Sequence, residues 1–250
     1  MMAWLLLASL GVGLLIGAVG VGGILLIPAL NIFAGLAIHE AMATALLTFI
    51  FTGSVGTFLF QRRGSIDWGI TAPVSIGAAF FGFLGAVANA KIGARELTMI
   101  LASLSILAGA YTIFTRNAGR LAVLHGRPGW QQVLLVGVGA IAGFGSGLTG
   151  VGGPALSVPM MVLLGFPSLT TIGASQVIQI LAAASATVGN LQYGSIDFRI
   201  AAMVTIFELI GVLVGVRIVH AINAQSLRSY VGILCVIVGA GLMMRALGFL

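Results

Sequence analysis

The residues of this chain best placed to do chemistry lie in or near two glycine runs. Residues 20–30 read GVGGILLIPAL and residues 150–161 read GVGGPALSVPMM. Glycine and proline are the poorest helix formers, by about 1 and 3 kcal/mol relative to alanine. Written twice inside very apolar sequence, such runs mark a designed interruption of helix. The piece of helix that starts after the break has N–H groups without an intrahelical partner, and its dipole places about half a positive charge there. Both favour an anion, and Gly20, Gly22, Gly23, Gly150, Gly152 and Gly153 would let it approach the backbone closely. The competing role for a membrane glycine is close helix crossing. Gly13 and Gly17, Gly139 and Gly143, and Gly211 and Gly215 have the four-residue spacing of that role.

A second set of polar groups follows each run. Thr44, Thr48 and Thr52 recur every four residues, and Ser175, Gln176 and Gln179 cluster, with Asn190 further on. Their hydroxyls and amides could replace part of an oxyanion's hydration. Back-bonding to the helix or bonding between helices would also explain them. Ser175 and Gln176 stand out, since two glutamines in one apolar helix are costly without partners. Glu208, in MVTIFELIGVL, is an intramembrane carboxylate and a candidate for proton coupling. Asp67 and Asp197 each end a GSID and should N-cap the next helix. His39 and Glu40 read as a solvated helix start, and Arg62 and Arg63 as a topology signal.

The elements that must hold these groups are membrane helices. Of the 250 residues 60% are hydrophobic and 6% charged, and the mean hydropathy is +1.19. Soluble domains carry about 25% charge, so lipid is the solvent for most of this surface. The net charge of +6 would suggest nucleic acid in a soluble protein. Here the eleven Lys and Arg sit between apolar segments, where a positive-inside bias puts them, and no nucleic-acid partner is expected. The N-terminal MMAWLLLASLGVGLL has no basic start and reads as part of the membrane domain. The single Cys235 suggests neither a disulfide nor a metal site, and no cofactor is expected.

The chain is one pattern written twice. GVGG recurs at an offset of 130, as do GSID (64 and 194), Gly85 and Gly215, Leu97 and Leu227, and the pair Gly109-Ala110 with Gly239-Ala240. This divides it into repeats 1–118 and 131–250, joined by a basic linker at 119–130. Apolar segments fall at 3–36, 41–60, 69–90 and 97–115, and again at 131–166, 171–190, 199–219 and 227–249. A crossing needs about 20 residues. The first segment of each half is too long for one helix and short for two, so two short helices joined at GVGG are expected there. The fold class is therefore an all-α polytopic membrane protein with paired broken helices, which in transporters mark the binding site. Seven basic residues fall on the linker side and four opposite, whether the halves are inverted or parallel. The hairpin gives each half an odd number of net crossings and favours inversion.

The duplicated GVGG…P turn, the small-polar motif opening the second segment and the basic loop before GSID resemble the sulfite exporter TauE/SafE family over essentially the whole chain. The resemblance implies a multi-pass inner-membrane transporter of sulfite, sulfonates or related anions. It implies a pathway role for Gly20, Gly22, Gly23, Pro28, Gly150, Gly152, Gly153 and Pro159. The family pattern often carries a third consecutive glycine where this chain has Ile24 and Pro154. The expected function is secondary transport of a small anion, with membrane lipid as surroundings and a homodimer as one possible assembly. A channel is the first alternative, although TGVGG at 149–153 lacks a fourfold ring. An intramembrane enzyme is the second; Ser146 with His220 is its only nucleophile–base pair, and no spacing supports it. GSGLTG at 145–150 has the dinucleotide spacing without its strand–helix setting or its acid, and is set aside.

Overall fold

Apolar sequence interrupted at regular intervals folds here into helices alone. The computed structural model describes residues 2–20, 22–114, 128–221 and 224–248, and among these there is no strand. Most of the linker, with Arg116, Arg120 and Arg127, lies outside the described residues, as do the side chains of His220 and Arg228. In the first half α1 (Met2–Val19) ends at the glycine run. The chain resumes as a short apolar helix over Gly23–Ala34, which contains α2 (Leu26–Ala29). Then follow α3 (Ile38–Arg62), α4 (Trp68–Asn89) and α5 (Ala94–Phe114). The second half runs α6 (Pro128–Thr149), α7 (Pro154–Leu163), α8 (Ser168–Tyr193), α9 (Phe198–Ala221) and α10 (Ala224–Leu247). Six described helices are long and apolar enough to cross a membrane.

The broken segments differ from expectation in one respect. Two short helices were expected on either side of each GVGG. Instead α1 has 18 residues and α6 has 22, close to a full crossing, and only the second piece is a half-helix. At 1.5 Å per residue, the ten residues of α7 reach about half as far as a crossing helix. The first half-helix is also irregular, passing from a 3-10 turn through α2 to a π-type turn over Leu30–Ala34. Pro28 accounts for this, since it cannot donate to the preceding turn and its ring crowds the carbonyl four residues back. Asp67 caps α4, its Oδ1 accepting from the Gly69 N–H at 2.9 Å. Asp197 accepts likewise from the Ile200 N–H at 2.9 Å.

Helices associate mainly across the halves, through glycine. On α1, Gly13 and Gly17 lie against the backbone of Glu208 and Val212; Gly211 and Gly215 of α9 lie against Leu10 and Leu14. The same arrangement joins α4 to α6, where Gly77 and Gly85 meet Val136 and Phe144, and Gly139 and Gly147 meet Val74 and Gly82. Rising residue numbers on one helix match rising numbers on the other, so both pairs are parallel. With lipid outside, no hydrophobic gain drives such pairs together; close van der Waals contact does, and a missing Cβ permits it.

The remaining contacts fix the other directions. Thr44 meets Asp197 and Arg63 meets Val216, so α3 runs parallel to α9. Since α1 and α3 then run the same way, Gly23–Ala34 is the return stroke between them. Gly53 and Gly56 of α3 meet Gln176, while Phe49 meets Gln179, so α3 and α8 are antiparallel. Gly82 meets Ala182, and Gly189 meets Ala86, so α4 runs with α8. Arg95 bonds Ala246 and Gly239 meets Ala102, so α5 and α10 are antiparallel.

Burial ranks the helices. Of the apolar window 72% is buried in α8 and 56% in α3, against 39–44% in α1, α4, α6 and α9. Of the polar side chains, Thr44, Thr48 and Thr52 of α3 and Ser175, Gln176 and Gln179 of α8 are buried, and so is Glu208, although it stands on the less buried α9. Trp4, Phe80, Leu107 and Ile141 are exposed, on the surface that faces acyl chains.

Candidate substrate site at the paired turns

Glycine without a side chain makes a turn that other elements can cover closely, and α3 and α8 cover both turns. A Cβ on Gly20 would sit 3.2 Å from Ser175 Oγ of α8, and one on Gly150 would sit 2.6 Å from Met42 Cα of α3. A Cβ on Gly23 would meet both Phe49 Cζ and the Val151 carbonyl oxygen at 2.6 Å. The two turns are therefore side by side, with the Phe49 ring between Gly23 and Gly152. Phe49 lies near the middle of the 25-residue α3, so this meeting point is also the middle of the bundle.

Within the described residues of the two runs, left-handed backbone falls at Gly20, Gly150 and Gly152, at φ 77°, 70° and 84°. Gly22, Gly23 and Gly153 do not need it. They are small because something lies against them, which for Gly22 is the Val12 carbonyl and for Gly153 the Ile178 side chain. The last turns of α1 and α6 close normally, Gly20 N–H donating to Ile16 O at 3.1 Å and Gly150 N–H to Ser146 O at 2.8 Å. Beyond them, among the described residues, the N–H groups of Gly22, Gly23, Gly152 and Gly153 find no backbone acceptor. Buried backbone donors are nearly always paired, so four unmatched ones at one depth form an arrangement that an oxyanion could satisfy.

The polar residues divide into two groups. Several are occupied locally: Thr48 donates to Ala45 O at 2.9 Å, Ser175 to Ile172 O at 2.8 Å, and Thr52 back-bonds to its own helix. Thr44 accepts from the Asp197 N–H at 3.1 Å, at the start of α9 and away from the turns. Gln179 bridges the central helices, its Nε2 donating to Phe49 O at 3.1 Å and Thr52 Oγ1 at 2.9 Å. Gln176 donates to Ile16 O at 3.3 Å and, among the described residues, leaves its Oε1 buried without a partner. Both oxygens of Glu208 are likewise buried and unpaired; Thr48 lies within reach, but its proton goes to Ala45. Pro28 and Pro159 stand in the half-helices beyond the turns, and the buried Pro28 lines a groove between α1, its own half-helix and α10. His39 is only half-buried and its Nε2 contacts Ile92 O, tying α3 to the loop before α5.

Three neighbours of the turns were not singled out for binding from the sequence. Phe49 was invisible as one more apolar residue, although its repeat counterpart is the polar Gln179. Ser146 and Ser157 flank the second turn with buried hydroxyls that find no partner among the described residues. Ser157 stands one helical turn after Gly153, a spacing that could have exposed it.

Comparison with known proteins gives the family. Residues 5–242 match the family described as Sulfite exporter TauE/SafE. The chain is 25% identical to the probable membrane transporter protein YunE of Bacillus subtilis, over 92% of this chain and 94% of that protein. It is 23% identical to the probable membrane transporter protein YjnA of the same organism, over 96% and 98%. No solved structure matches it significantly. The chain belongs to the sulfite exporter TauE/SafE family and is a multi-pass membrane transporter.

Proposed function

We propose that this protein is a secondary transporter of a small sulfur-containing oxyanion, such as sulfite or a sulfonate, in the cell inner (plasma) membrane. The observation that carries the proposal is the meeting of two GVGG turns at mid-bundle with four N–H donors that find no backbone acceptor among the described residues. Gly20, Gly22, Gly23, Gly150, Gly152 and Gly153 form the backbone cradle, Gln176 and Gln179 are its nearest amides, and Ser175 closes it at Gly20. Phe49 fills the space between the turns in this closed arrangement and must swing aside for the anion. A membrane potential negative inside favours exit of an anion by about 2.3 kcal/mol per charge per 100 mV, so export needs no further coupling. Uptake does, and Glu208, buried and without an ion-pair partner among the described residues, is the group that would carry a proton.

Protein reconstituted in liposomes should move sulfite saturably and exchange it against itself, with an inside-negative potential speeding net exit. A response to cations and to no sulfur oxyanion would overturn the reading. In the same assay Glu208→Gln should abolish any dependence of flux on a pH gradient while leaving sulfite binding intact. An unchanged dependence would leave Glu208 a structural role.

Repeats 1–118 and 131–250 of opposite direction are part of the proposal. Exchanging the halves turns the pair α1/α9 into α6/α4, and maps α3/α8 and α5/α10 onto themselves, which is the pairing expected around a two-fold axis lying in the membrane. In support, α1 and α3 run one way while α6 and α8 run the other. The linker and the loop bearing Arg62 and Arg63 then lie in the cytoplasm, with both ends of the chain outside. Reporter fusions after Arg120 and at Leu250 should report opposite sides; cytoplasmic signals from both would refute inversion.

A further inference from the structure

The outer wall carries a site of different chemistry from the turns. A groove of about 810 Å³ opens between α1, the half-helix Gly23–Ala34 and α10. Its walls are almost wholly apolar, formed by residues such as Ala8, Val12, Leu15, Pro28 and Phe33, and among the described residues its one charged lining residue is Arg245. A second pocket of about 500 Å³ adjoins it, sharing Leu242 and Arg245, and is lined by Asn31, Arg95 and Thr98. An acyl-sized slot thus leads into a smaller chamber of mixed lining that carries two guanidinium groups.

Those two groups have donors to spare. Arg245 Nη1 donates to Asn31 Oδ1 at 2.8 Å, and Arg95 Nε donates to Ala246 O at 2.9 Å. A guanidinium carries five N–H donors, and among the described residues neither Arg is paired with a carboxylate. Glu96, next in sequence to Arg95, turns its carboxyl toward Gly93, and no acid lines either pocket. Arg95 opens α5 and Arg245 closes α10, so both stand where helices leave the membrane, at headgroup level. The planar guanidinium fork matches a phosphate's oxygens.

We infer that this groove binds one anionic phospholipid, with an acyl chain against α1 and the half-helix and the phosphate between Arg95 and Arg245. The occupant follows from position and charge. An apolar slot between α1, the half-helix and α10 suits hydrocarbon, and two guanidinium groups with no carboxylate partner among the described residues select a headgroup of net negative charge over one whose own ammonium would offset it. Because Pro28, Ala29, Ile32 and Phe33 form one wall, the bound chain braces the half-helix that follows the first GVGG.

The test compares dioleoyl phosphatidylglycerol with dioleoyl phosphatidylcholine added to the delipidated full-length protein, read by native mass spectrometry and by thermal melting. The wild type should retain and be stabilised by phosphatidylglycerol at about tenfold lower concentration. Arg95→Gln with Arg245→Gln should abolish that preference. Gly11→Leu and Gly241→Leu fill the slot from positions where an added Cβ meets nothing within 4 Å, so each should fold, by gel filtration, and lose retention of both lipids. Glycerophosphoglycerol, inorganic phosphate and sulfite should not displace the lipid. Equal retention of the two lipids by the wild type would overturn the inference. So would a preference that survives the double substitution, retention unchanged in both folded slot-filling variants, or displacement by the chain-free anions.

Discussion

Gly23→Ala is expected to lower affinity for the transported anion by about tenfold or more while the protein still inserts and purifies. The new methyl group would lie 2.6 Å from Phe49 Cζ and 2.6 Å from the Val151 carbonyl oxygen, so the ring and the neighbouring turn must both shift. Losing one hydrogen bond to a charged ligand costs about 1.5–3 kcal/mol, and tenfold corresponds to about 1.4 kcal/mol. Gly150→Ala should be more severe. It adds a left-handed conformation, at φ 70°, that costs a non-glycine residue about 1–2 kcal/mol, and it presses on the backbone of Met42. Gly153→Ala should be the mildest, since its φ is −56° and the nearest obstacle is the flexible Ile178 side chain at 2.9 Å. Affinity should therefore fall in the order Gly150, Gly23, Gly153, measured by sulfite titration beside a thermal melt of each variant. Variants that melt early and bind normally would make the turns packing devices and move the site elsewhere.

The second large effect belongs to the helix crossings. Gly139→Ala drives a methyl group into the Val74 carbonyl oxygen, and Gly211→Ala into that of Leu10. Neither obstacle is a side chain that can rotate away, so the crossing itself must open. Overpacking costs about 1–3 kcal/mol and more where backbone must move, and both variants should melt markedly earlier with no selective change in affinity. Gly137→Ala is the internal control. Its added Cβ meets nothing within 4 Å, and alanine is the better helix former by about 1 kcal/mol, so stability should hold or rise. A Gly139→Ala protein as stable as wild type would mean that the α4–α6 crossing is looser than its geometry.

The division of labour between the glycines shows how far a linear reading reaches. Spacing alone separated Gly13, Gly17, Gly139, Gly143, Gly211 and Gly215 as crossing residues, and all six lie against backbone of a partner helix. Spacing could not say which glycine of each GVGG turns the chain and which merely leaves room. The structure assigns the left-handed turn to Gly20 and Gly150 at equivalent places, and then adds Gly152, whose counterpart Gly22 has φ −123°. Pro154 follows directly in the second run where the first has Ile24, and Gly153 before it already has α-helical angles, φ −56° and ψ −37°, so the turn falls on Gly152. Likewise the threonine ladder read as a polar face, yet Thr48 and Thr52 bond to their own helix and Thr44 serves the start of α9.

By itself the sequence determined the solvent, the class and the breaks. Too little charge to face water, helix-breaking residues twice in apolar runs, and aspartates at helix starts are all local properties, and local physics decides them. Partner choice was decided only in three dimensions. A helix in lipid is apolar on its outward face and largely apolar on its inward one, so the amphipathic pattern that orients a helix in a soluble protein is nearly absent. Nothing in residues 2–19 announces that α1 lies on α9 of the other half, and nothing in residues 68–89 that α4 lies on α6. Those pairings follow from which glycine faces fit which backbones, and they bring Phe49, Gln176, Gln179 and the two turns to one place at mid-bundle.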